Sequence, residues 1–291
     1  MALPNFLYAG AARSASTYIY QVLMEHPQVF TPAVKDIYFF NRNYERRLSW
    51  YAGFFDGAER YPAAGEFTMD YFADPVCAER ICNDLPDCKI LFCLREPVER
   101  TFDHYYWERL TFYYVSRKEF RQGLSFVDFA RKPEIMALGN YYENLKAYFD
   151  RFSRDNILVL FMDDLYRDNA AFVRKIYEFL EVASDFRPPS LNRRVNKLRA
   201  ARFPMLTEIA YRFGNRLRDA GKPGLVSRLR DLEWFNRLMF KPVKKDVRLL
   251  REALPVLWPL YHRHDRELAE MVDRPLPPSW RMENEAGKST R

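Results

Sequence analysis

Residues 5–24 read NFLYAGAARSASTYIYQVLM, and this stretch predicts how the rest of the chain is organised. A short apolar run at residues 6–9 has the length of a β-strand, and Gly10 ends it. The residues that follow are small or hydroxylated apart from one arginine. From Thr17 onward, apolar residues recur with the spacing of a helix packed on a sheet. We therefore predict a strand, a tight turn and a helix in direct succession.

The turn of this unit has the chemistry of an anion site. Backbone N–H groups and the positive end of the helix dipole point toward the turn, and small residues let a phosphate approach closely. Arg13 adds a full positive charge, and Ser14 or Ser16 suits the N-cap position of the helix. An ordinary strand-to-helix turn with a surface arginine is the alternative interpretation.

Strands and helices alternate along the rest of the chain. Apolar runs such as KILFCL at residues 89–94 are typical of parallel strands covered on both faces. We predict an α/β fold with a central, mainly parallel sheet flanked by helices. The predicted strands are residues 6–9, 65–71, 89–94 and 156–161, and the predicted helices are residues 17–26, 78–85, 97–106, 125–130, 141–152 and 169–180.

Composition and charge narrow the class of protein. The chain has 291 residues, of which 48% are hydrophobic, so it can bury a large core. The net charge of +7 is uneven, because residues 187–251 hold 18 Lys and Arg against 5 Asp and Glu. Such a basic segment indicates an anionic partner. We predict one domain over residues 1–283 that includes the basic segment at residues 187–251, and a disordered tail at residues 284–291.

Targeting and metal-binding signals are weak. The chain does not open with a charged and apolar leader, and no apolar run approaches the roughly 20 residues that span a bilayer, so we expect a cytoplasmic protein. The spacing of the four cysteines does not match a zinc ribbon, and reduced thiols are expected. The four histidines are scattered and are interpreted as structural or exposed. No metal is expected.

The order and spacing of several motifs resemble those of sulfotransferases that use 3′-phosphoadenosine 5′-phosphosulfate (PAPS), especially bacterial members and domains that act on heparan sulfate. The family's phosphosulfate loop, similar to G-x-x-[KR]-x-G-[ST]-[ST], corresponds to GAARSAST at residues 10–17. Its K-E-x-x-[FY]-F pattern corresponds to KDIYFF at residues 35–40. The remaining matches are R-[DN]-P-x-x-R-x-x-S-x-Y at residues 95–105, G-x-Y to [ED]-D-L at residues 139–165, a basic loop at residues 193–197 and the terminal L-P-x-W at residues 276–280.

This resemblance implies a P-loop-like three-layer fold and transfer of a sulfuryl group from PAPS to a hydroxyl or amine, with adenosine 3′,5′-bisphosphate as product. It assigns Asp36 as general base and Arg13 to charge stabilisation at the 5′-phosphosulfate. Arg95 is expected to pair with the 3′-phosphate, helped by Lys197 or Arg199. The resemblance also implies that the basic segment at residues 187–251 lies on the nucleotide and acceptor side. The predicted nucleotide-binding residues are Arg13, Ser14, Ala15, Ser16, Thr17, Arg95, Asp103, Asn196, Lys197 and Arg199.

The chain departs from the family pattern at five positions. Arg13 replaces a frequent lysine, Ala15 a glycine, Asp36 a glutamate and Phe67 a lysine. The fifth departure is Asp103, which stands where a serine is expected near the 3′-phosphate.

Two interpretations of Asp103 stay open. It faces away from the nucleotide and pairs with Arg100 or Arg109, or it lies at the 3′-phosphate site and weakens nucleotide binding through like charge. The first is favoured here, because arginines are frequent on this helix.

Two other functions compete with sulfuryl transfer. A P-loop kinase or NTPase would use Asp163 to organise Mg²⁺, but its loop needs G-x-x-x-x-G-K-[ST], and residues 15 and 16 are Ala and Ser. A non-catalytic module on a degenerate sulfotransferase fold would use the basic segment to bind nucleic acid or an anionic membrane. Nucleic acid is disfavoured by the few aromatic residues in that segment. The sulfate acceptor (a small molecule, lipid or glycan) and the oligomeric state stay open.

Overall fold

The computed structural model describes residues 2–111, 115–193, 199–201 and 240–281. Within this part of the chain, five strands form one sheet in which every neighbouring pair is parallel. They are β1 (Phe6–Gly10), β2 (Val29–Phe30), β3 (Ala63–Phe67), β4 (Lys89–Leu94) and β5 (Ile157–Phe161). The sheet order is β2–β3–β1–β4–β5. The predicted α/β class with a parallel sheet is confirmed.

Helices and short 3₁₀ turns connect and cover the strands. The helices are α1 (Ser16–Met24), α2 (Phe39–Arg42), α3 (Arg47–Ala52), α4 (Pro75–Asp84), α5 (Pro97–Thr111), α6 (Arg117–Arg121), α7 (Phe126–Ala130), α8 (Pro133–Ala137), α9 (Tyr141–Phe149), α10 (Met162–Arg167), α11 (Asn169–Phe179), α12 (Val247–Tyr261) and α13 (Asp265–Met271). The 3₁₀ turns are Tyr44–Arg46, Gly53–Phe55, Ala58–Arg60, Met69–Tyr71, Arg154–Asn156 and Pro278–Trp280.

Hydrophobic side chains cover both faces of the sheet. Leu7 and Ile90 belong to the cluster on one face, and Tyr8 and Leu91 to the cluster on the other. All five residues of β1 are buried. Strands β1 and β3 approach so closely that a side chain on Gly65 would collide with the carbonyl oxygen of Phe6. The sheet therefore leaves polar chemistry to its edges and ends.

Most predicted elements lie within a few residues of their expected bounds. The strand predicted at residues 65–71 is an exception, since the sheet pairing covers Ala63–Phe67 and the chain then enters the turn Met69–Tyr71. Strand β2 was not predicted, because a two-residue strand leaves no periodic pattern.

The basic segment at residues 187–251 is described only in part, and the tail predicted at residues 284–291 lies outside the described residues. On either side of the main gap, β6 (Arg199–Ala201) and β7 (Phe240–Pro242) pair antiparallel. Among the helices of the described residues, none is both long and apolar enough to cross a membrane.

A charged network fastens the C-terminal helices to the start of α5. The carboxylate of Glu96 accepts hydrogen bonds from the backbone N–H groups of Val98 and Glu99, at 2.9 and 2.5 Å. His262, at the end of α12, lies 2.8 Å from Glu96 through Nε2 and 2.8 Å from Asp265 through Nδ1. Burial lowers the pKa of His262, but hydrogen bonds to Asp265 and Glu96 outweigh it and raise the pKa to about 9.

This network predicts a pH-dependent stability. Because the pKa of His262 is higher in the folded state than in the unfolded state, its protonation stabilises the folded protein. This contribution is fully present below the unfolded pKa of about 6.5, and it disappears as the pH rises through the folded pKa of about 9. His262→Asn should therefore lower the free energy of unfolding by about 3 kcal/mol more at pH 6 than at pH 9.5. Urea denaturation at both pH values measures this difference.

His264→Asn is the control, because His264 stacks on Tyr142 without a carboxylate in contact among the described residues. Equal losses for His262→Asn at the two pH values would show that His262 contributes only packing.

Candidate functional site

The sheet order gathers the candidate residues at one edge. Strand β1 lies between β3 and β4; the connection after β1 leads to β2 on one side of it, and the connection after β3 leads to β4 on the other side. At such a switch point the loops beyond the carboxyl ends of the strands separate and form a crevice. The turn at residues 11–15 follows β1, Thr68 follows β3 and Arg95 follows β4.

The turn after β1 exposes the amino end of α1 to this crevice. The N-cap is Ala15, with φ 61° and ψ 9°, and its methyl side chain offers no hydrogen bond to the first turn. The predicted N-cap at Ser14 or Ser16 is therefore wrong. The reason is tertiary, since Ser14 is fully buried and its carbonyl accepts a hydrogen bond from Tyr8 Oη at 2.8 Å. Backbone N–H groups of the first helical turn stay available for an anion.

Two buried polar atoms of the turn also fit an anionic ligand. Within the described residues, Ser14 Oγ and Arg13 Nε have no hydrogen-bond partner although solvent does not reach them. Leaving a buried donor unsatisfied costs about 1–3 kcal/mol, so a ligand that accepts these bonds gains affinity. A phosphate or phosphosulfate group supplies the acceptors that this turn lacks.

Arg13 is held against helix α5. Its guanidinium carbon lies 5.8 Å from the centre of the Trp107 ring. Burial lowers the pKa of Arg13, the carboxylate of Asp103 counteracts this, and the charges of Arg95 and Arg100 lower it further. These interactions show that the β1 turn and the start of α5 lie together in one charged cluster.

Arg95 is already paired with carboxylates. Its Nη1 lies 2.6 Å from Asp103 and its Nη2 lies 3.1 Å from Glu99. Lys245, which follows β7, makes an ion pair with the other oxygen of Asp103. The expected pairing of Asp103 with Arg100 or Arg109 is therefore wrong, because the residue faces the cations of the site.

Asp36 lies at the end of β3. Its backbone N–H donates to the carbonyl of Phe67 at 2.9 Å, and its φ of 60° is in the left-handed region. Lys35 lies over the rings of Tyr20 and Phe67, at 5.4 and 5.7 Å from their centres. Phe67, which replaces a family lysine, stacks on Tyr8. The loop is thus anchored by its backbone and by aromatic contacts.

A buried carboxylate that sequence reasoning missed supports this loop. Glu66 is 1% exposed and accepts hydrogen bonds from Tyr51, Tyr71 and Thr68 at 2.8–3.1 Å. Burial raises its pKa to about 7, the three hydroxyl groups partly offset this, and the charge of Asp36 adds to the increase. A glutamate inside an otherwise apolar strand was the available signal.

The structure leaves three predicted nucleotide residues without a side-chain position. Asn196 and Lys197 lie outside the described residues, and Arg199 is described only as the first residue of β6. Among the described residues of the same basic segment, Lys245 reaches the cluster. Arg100 was also missed, although it is fully buried and its Nε and Nη1 atoms have no hydrogen-bond partner in the described part of the chain.

Asp163 and His104, two side chains considered from the sequence, are engaged by contacts within the protein. Asp163 accepts hydrogen bonds from the hydroxyl of Ser279 and, at 3.3 Å, from Trp280 Nε1, so its carboxylate is engaged by the C-terminal turn rather than free to organise Mg²⁺. His104 is buried beside Glu108, and burial lowers its pKa to about 4 despite the hydrogen bond to Glu108. The described residues contain no group of three or more His, Cys, Asp or Glu that could hold a metal ion.

Comparison with known proteins decides the family. A family model described as sulfotransferase domain matches residues 3–203, which is more than half of the chain. The chain belongs to the sulfotransferase family. The matched range includes the β1 turn, Asp36, Arg95 and Asp103, whereas Lys245 lies beyond it.

Individual relatives of this sulfotransferase share moderate identity with it. The membrane-associated sulfotransferase kil1 of Dictyostelium discoideum is 34% identical over 110 residues, which are 37% of this chain and 23% of that protein. Heparan sulfate glucosamine 3-O-sulfotransferase 6 of Mus musculus is 27% identical over 186 residues, covering 61% of this chain and 52% of that protein. The chain thus spans between a quarter and a half of these relatives.

A solved structure supports the same fold. The crystal structure of a sulfotransferase from Alicyclobacillus acidocaldarius superposes with a TM-score of 0.55 and 27% identity, covering 81% of this chain and all of that one. The fold is the P-loop-like three-layer arrangement of the family.

The left-handed N-cap of α1 yields a stability prediction. An L-residue in this conformation costs about 1–2 kcal/mol, which glycine avoids. Ala15→Gly should raise the free energy of unfolding by up to about 1 kcal/mol, because glycine also gains entropy in the unfolded chain. Ala12→Gly is the matched control, since Ala12 is not among the residues with positive φ, and it should lower stability by about 0.5–1 kcal/mol. Urea denaturation of the two variants compares them, and equal losses would contradict the conformational explanation.

Proposed function

We propose that this chain transfers a sulfuryl group from PAPS to a hydroxyl or amine of an acceptor. The observation that carries the proposal is the turn at residues 11–15, where a helix N-terminus without a side-chain cap meets buried atoms of Arg13 and Ser14 that have no hydrogen-bond partner within the described residues. Membership of the sulfotransferase family and the similarity to heparan sulfate sulfotransferases support the reaction type.

The β1 turn binds the 5′ end of the nucleotide in this proposal. PAPS, when bound, supplies the sulfuryl group and departs as adenosine 3′,5′-bisphosphate. Arg13 and the backbone N–H groups that follow it stabilise the negative charge that develops on the departing phosphate. Arg95 pairs with the 3′-phosphate. The complete proposed nucleotide set stays as predicted: Arg13, Ser14, Ala15, Ser16, Thr17, Arg95, Asp103, Asn196, Lys197 and Arg199.

Asp36 accepts the proton of the acceptor hydroxyl or amine. Its loop is fastened to the end of β3 through Phe67, and this holds the carboxylate at the same sheet edge as the β1 turn. Glu66 beneath the loop, with its pKa raised to about 7, stays largely protonated at mildly acidic pH and adds little repulsion to Asp36 there.

The proposal also includes the class of acceptor and the cellular location of the protein. We propose a small-molecule, lipid or glycan acceptor, and the likeness to enzymes named for heparan sulfate favours a glycan. Cys77, Cys82, Cys88 and Cys93 are all free thiols, which is typical of the reducing cytoplasm that we propose as its location.

Nucleotide binding is the direct test. A ligand that binds only the folded protein stabilises it by about 2.7 kcal/mol at a concentration of 100 times its dissociation constant. Adenosine 3′,5′-bisphosphate at millimolar concentration should therefore raise the melting temperature by several degrees, and PAPS should support sulfation in a screen of phenols, glycans and lipid alcohols. ATP hydrolysis with Mg²⁺, in the absence of any shift with adenosine 3′,5′-bisphosphate, would favour the NTPase alternative.

Variants of Asp36 and Arg13 separate chemistry from folding. Asp36→Asn should lower kcat by about 10² or more while nucleotide affinity stays near that of the wild type. Arg13→Ala should abolish transfer and keep the melting temperature, because among the described residues the guanidinium has an unsatisfied buried atom and no ion pair. Turnover measured with PAPS and an accepted substrate, together with far-UV circular dichroism, provides the readout.

The chain offers a matched control for each variant. Asp273 and Arg47 are exposed and also have positive φ, at 52° and 65°. Asp273→Asn and Arg47→Ala repeat the chemical changes at exposed positions that also have positive φ, and both should retain full activity. Full activity of Arg13→Ala, or equal losses of binding and turnover in Asp36→Asn, would refute the assigned roles.

A further inference from the structure

Asp103 joins two cations that come from different parts of the chain. One carboxylate oxygen lies 2.6 Å from Arg95 Nη1, and the other makes an ion pair with Lys245 Nζ. The side chains of Arg95 and Asp103 are 18% and 17% exposed, so water screens their pairing only in part. Asp103 therefore bridges two positive charges, whereas a surface carboxylate with one partner does not.

The local fold builds this bridge. Arg95 is the first residue after β4, and Asp103 lies almost two helical turns into α5, where its side chain contacts Arg95. Lys245 is held beside α5 through the next residue, because the backbone N–H of Asp246 donates to Tyr106 Oη on that helix at 2.7 Å. Both cations therefore converge on one position of α5.

Charge effects agree with this placement. Burial raises the pKa of Asp103, but the charges of Arg95 and Lys245 outweigh it and lower the pKa below its ordinary value. Asp103 is also the strongest charge acting on Arg13, which belongs to the β1 turn. The carboxylate is thus an ionised part of the same cluster as the candidate nucleotide residues.

We propose that Asp103 is a specificity-determining residue that occupies the place of the nucleotide 3′-phosphate and competes with it for Arg95 and Lys245. This inference rests on the proposed function, which assigns Arg95 to that phosphate. A phosphate that reaches Arg95 has to displace a carboxylate of this chain and then stays close to its negative charge. The 3′-phosphate consequently adds little to nucleotide affinity in the wild-type protein.

The test compares two nucleotides that differ only in the 3′-phosphate. Dissociation constants of adenosine 3′,5′-bisphosphate and adenosine 5′-monophosphate are measured by calorimetry for the wild type and for Asp103→Ser. The ratio of the two constants reports the contribution of the 3′-phosphate. This contribution should increase about tenfold or more in Asp103→Ser, since a unit charge close to a phosphate in a partly solvated cleft has at least that effect. Affinity for the monophosphate should stay within about twofold.

Glu99→Gln controls for the change in net charge. Glu99 contacts the same arginine at 3.1 Å, and its side chain is 38% exposed. This variant should increase the 3′-phosphate contribution by less than about threefold. Asp103→Asn, which keeps the shape of the side chain, provides a second variant should the serine protein be unstable, and it should show the same tenfold gain.

The outcomes separate this inference from the proposed function. An unchanged ratio in both Asp103 variants, with both nucleotides bound, would overturn the role of Asp103 and leave sulfuryl transfer intact. Equal increases of the 3′-phosphate contribution in Asp103→Ser and Glu99→Gln would show that net charge alone causes the effect, and would overturn the role of Asp103. Absence of binding for either nucleotide in all proteins would overturn the proposed function, and this inference with it.

Discussion

The burial of β1 between β3 and β4 is the constraint on which the rest of the structure depends. All five of its residues are buried, and hydrophobic clusters cover both faces of the sheet around it. Polar groups can meet a ligand only where the strands end, because nothing polar is accommodated along them without a partner. The single carboxylate in the middle of the sheet, Glu66, follows this rule, since three hydroxyl groups satisfy it. The candidate site is thus a consequence of the sheet order.

Charge balance is the second determinant of the site. Arg13, Arg95 and Arg100 lie close enough for each of the latter two to lower the pKa of the first, and such a cluster repels itself unless anions compensate it. In the described residues this compensation comes from Asp103 and Glu99, which bind Arg95. In the proposed function a highly charged nucleotide enters this cluster, and we expect the resident carboxylate to affect how much of that charge contributes to binding. The departure from the family motif at Asp103 leaves the family fold intact.

Elements far from the crevice hold its walls in place. His262 bridges Glu96 and Asp265 and so attaches α12 and α13 to the amino end of α5, the helix that carries Asp103. Lys245 is positioned through the neighbouring bond from Asp246 to Tyr106 on the same helix. Helix α5 therefore connects the C-terminal part of the chain to the β1 turn. We expect structural changes in the C-terminal helices to affect the β1 turn through these packed and charged contacts.

The sequence by itself determined the alternation of strands and helices, the strand-turn-helix unit at residues 5–24, the family resemblance and the candidate residues Arg13, Asp36 and Arg95. These features are local: they depend on apolar periodicity, turn chemistry and spacing within short motifs. Tertiary structure decided the N-cap of α1, where burial of Ser14 outweighed the preference for a serine cap, and the partners of Asp103, where Lys245 comes from 142 positions away. It also decided that Glu66 is buried among hydroxyl groups and that two carboxylates raise the pKa of His262. Long-range proximity sets these properties, since ion pairing and desolvation depend on distance in space, and a single sequence records only distance along the chain.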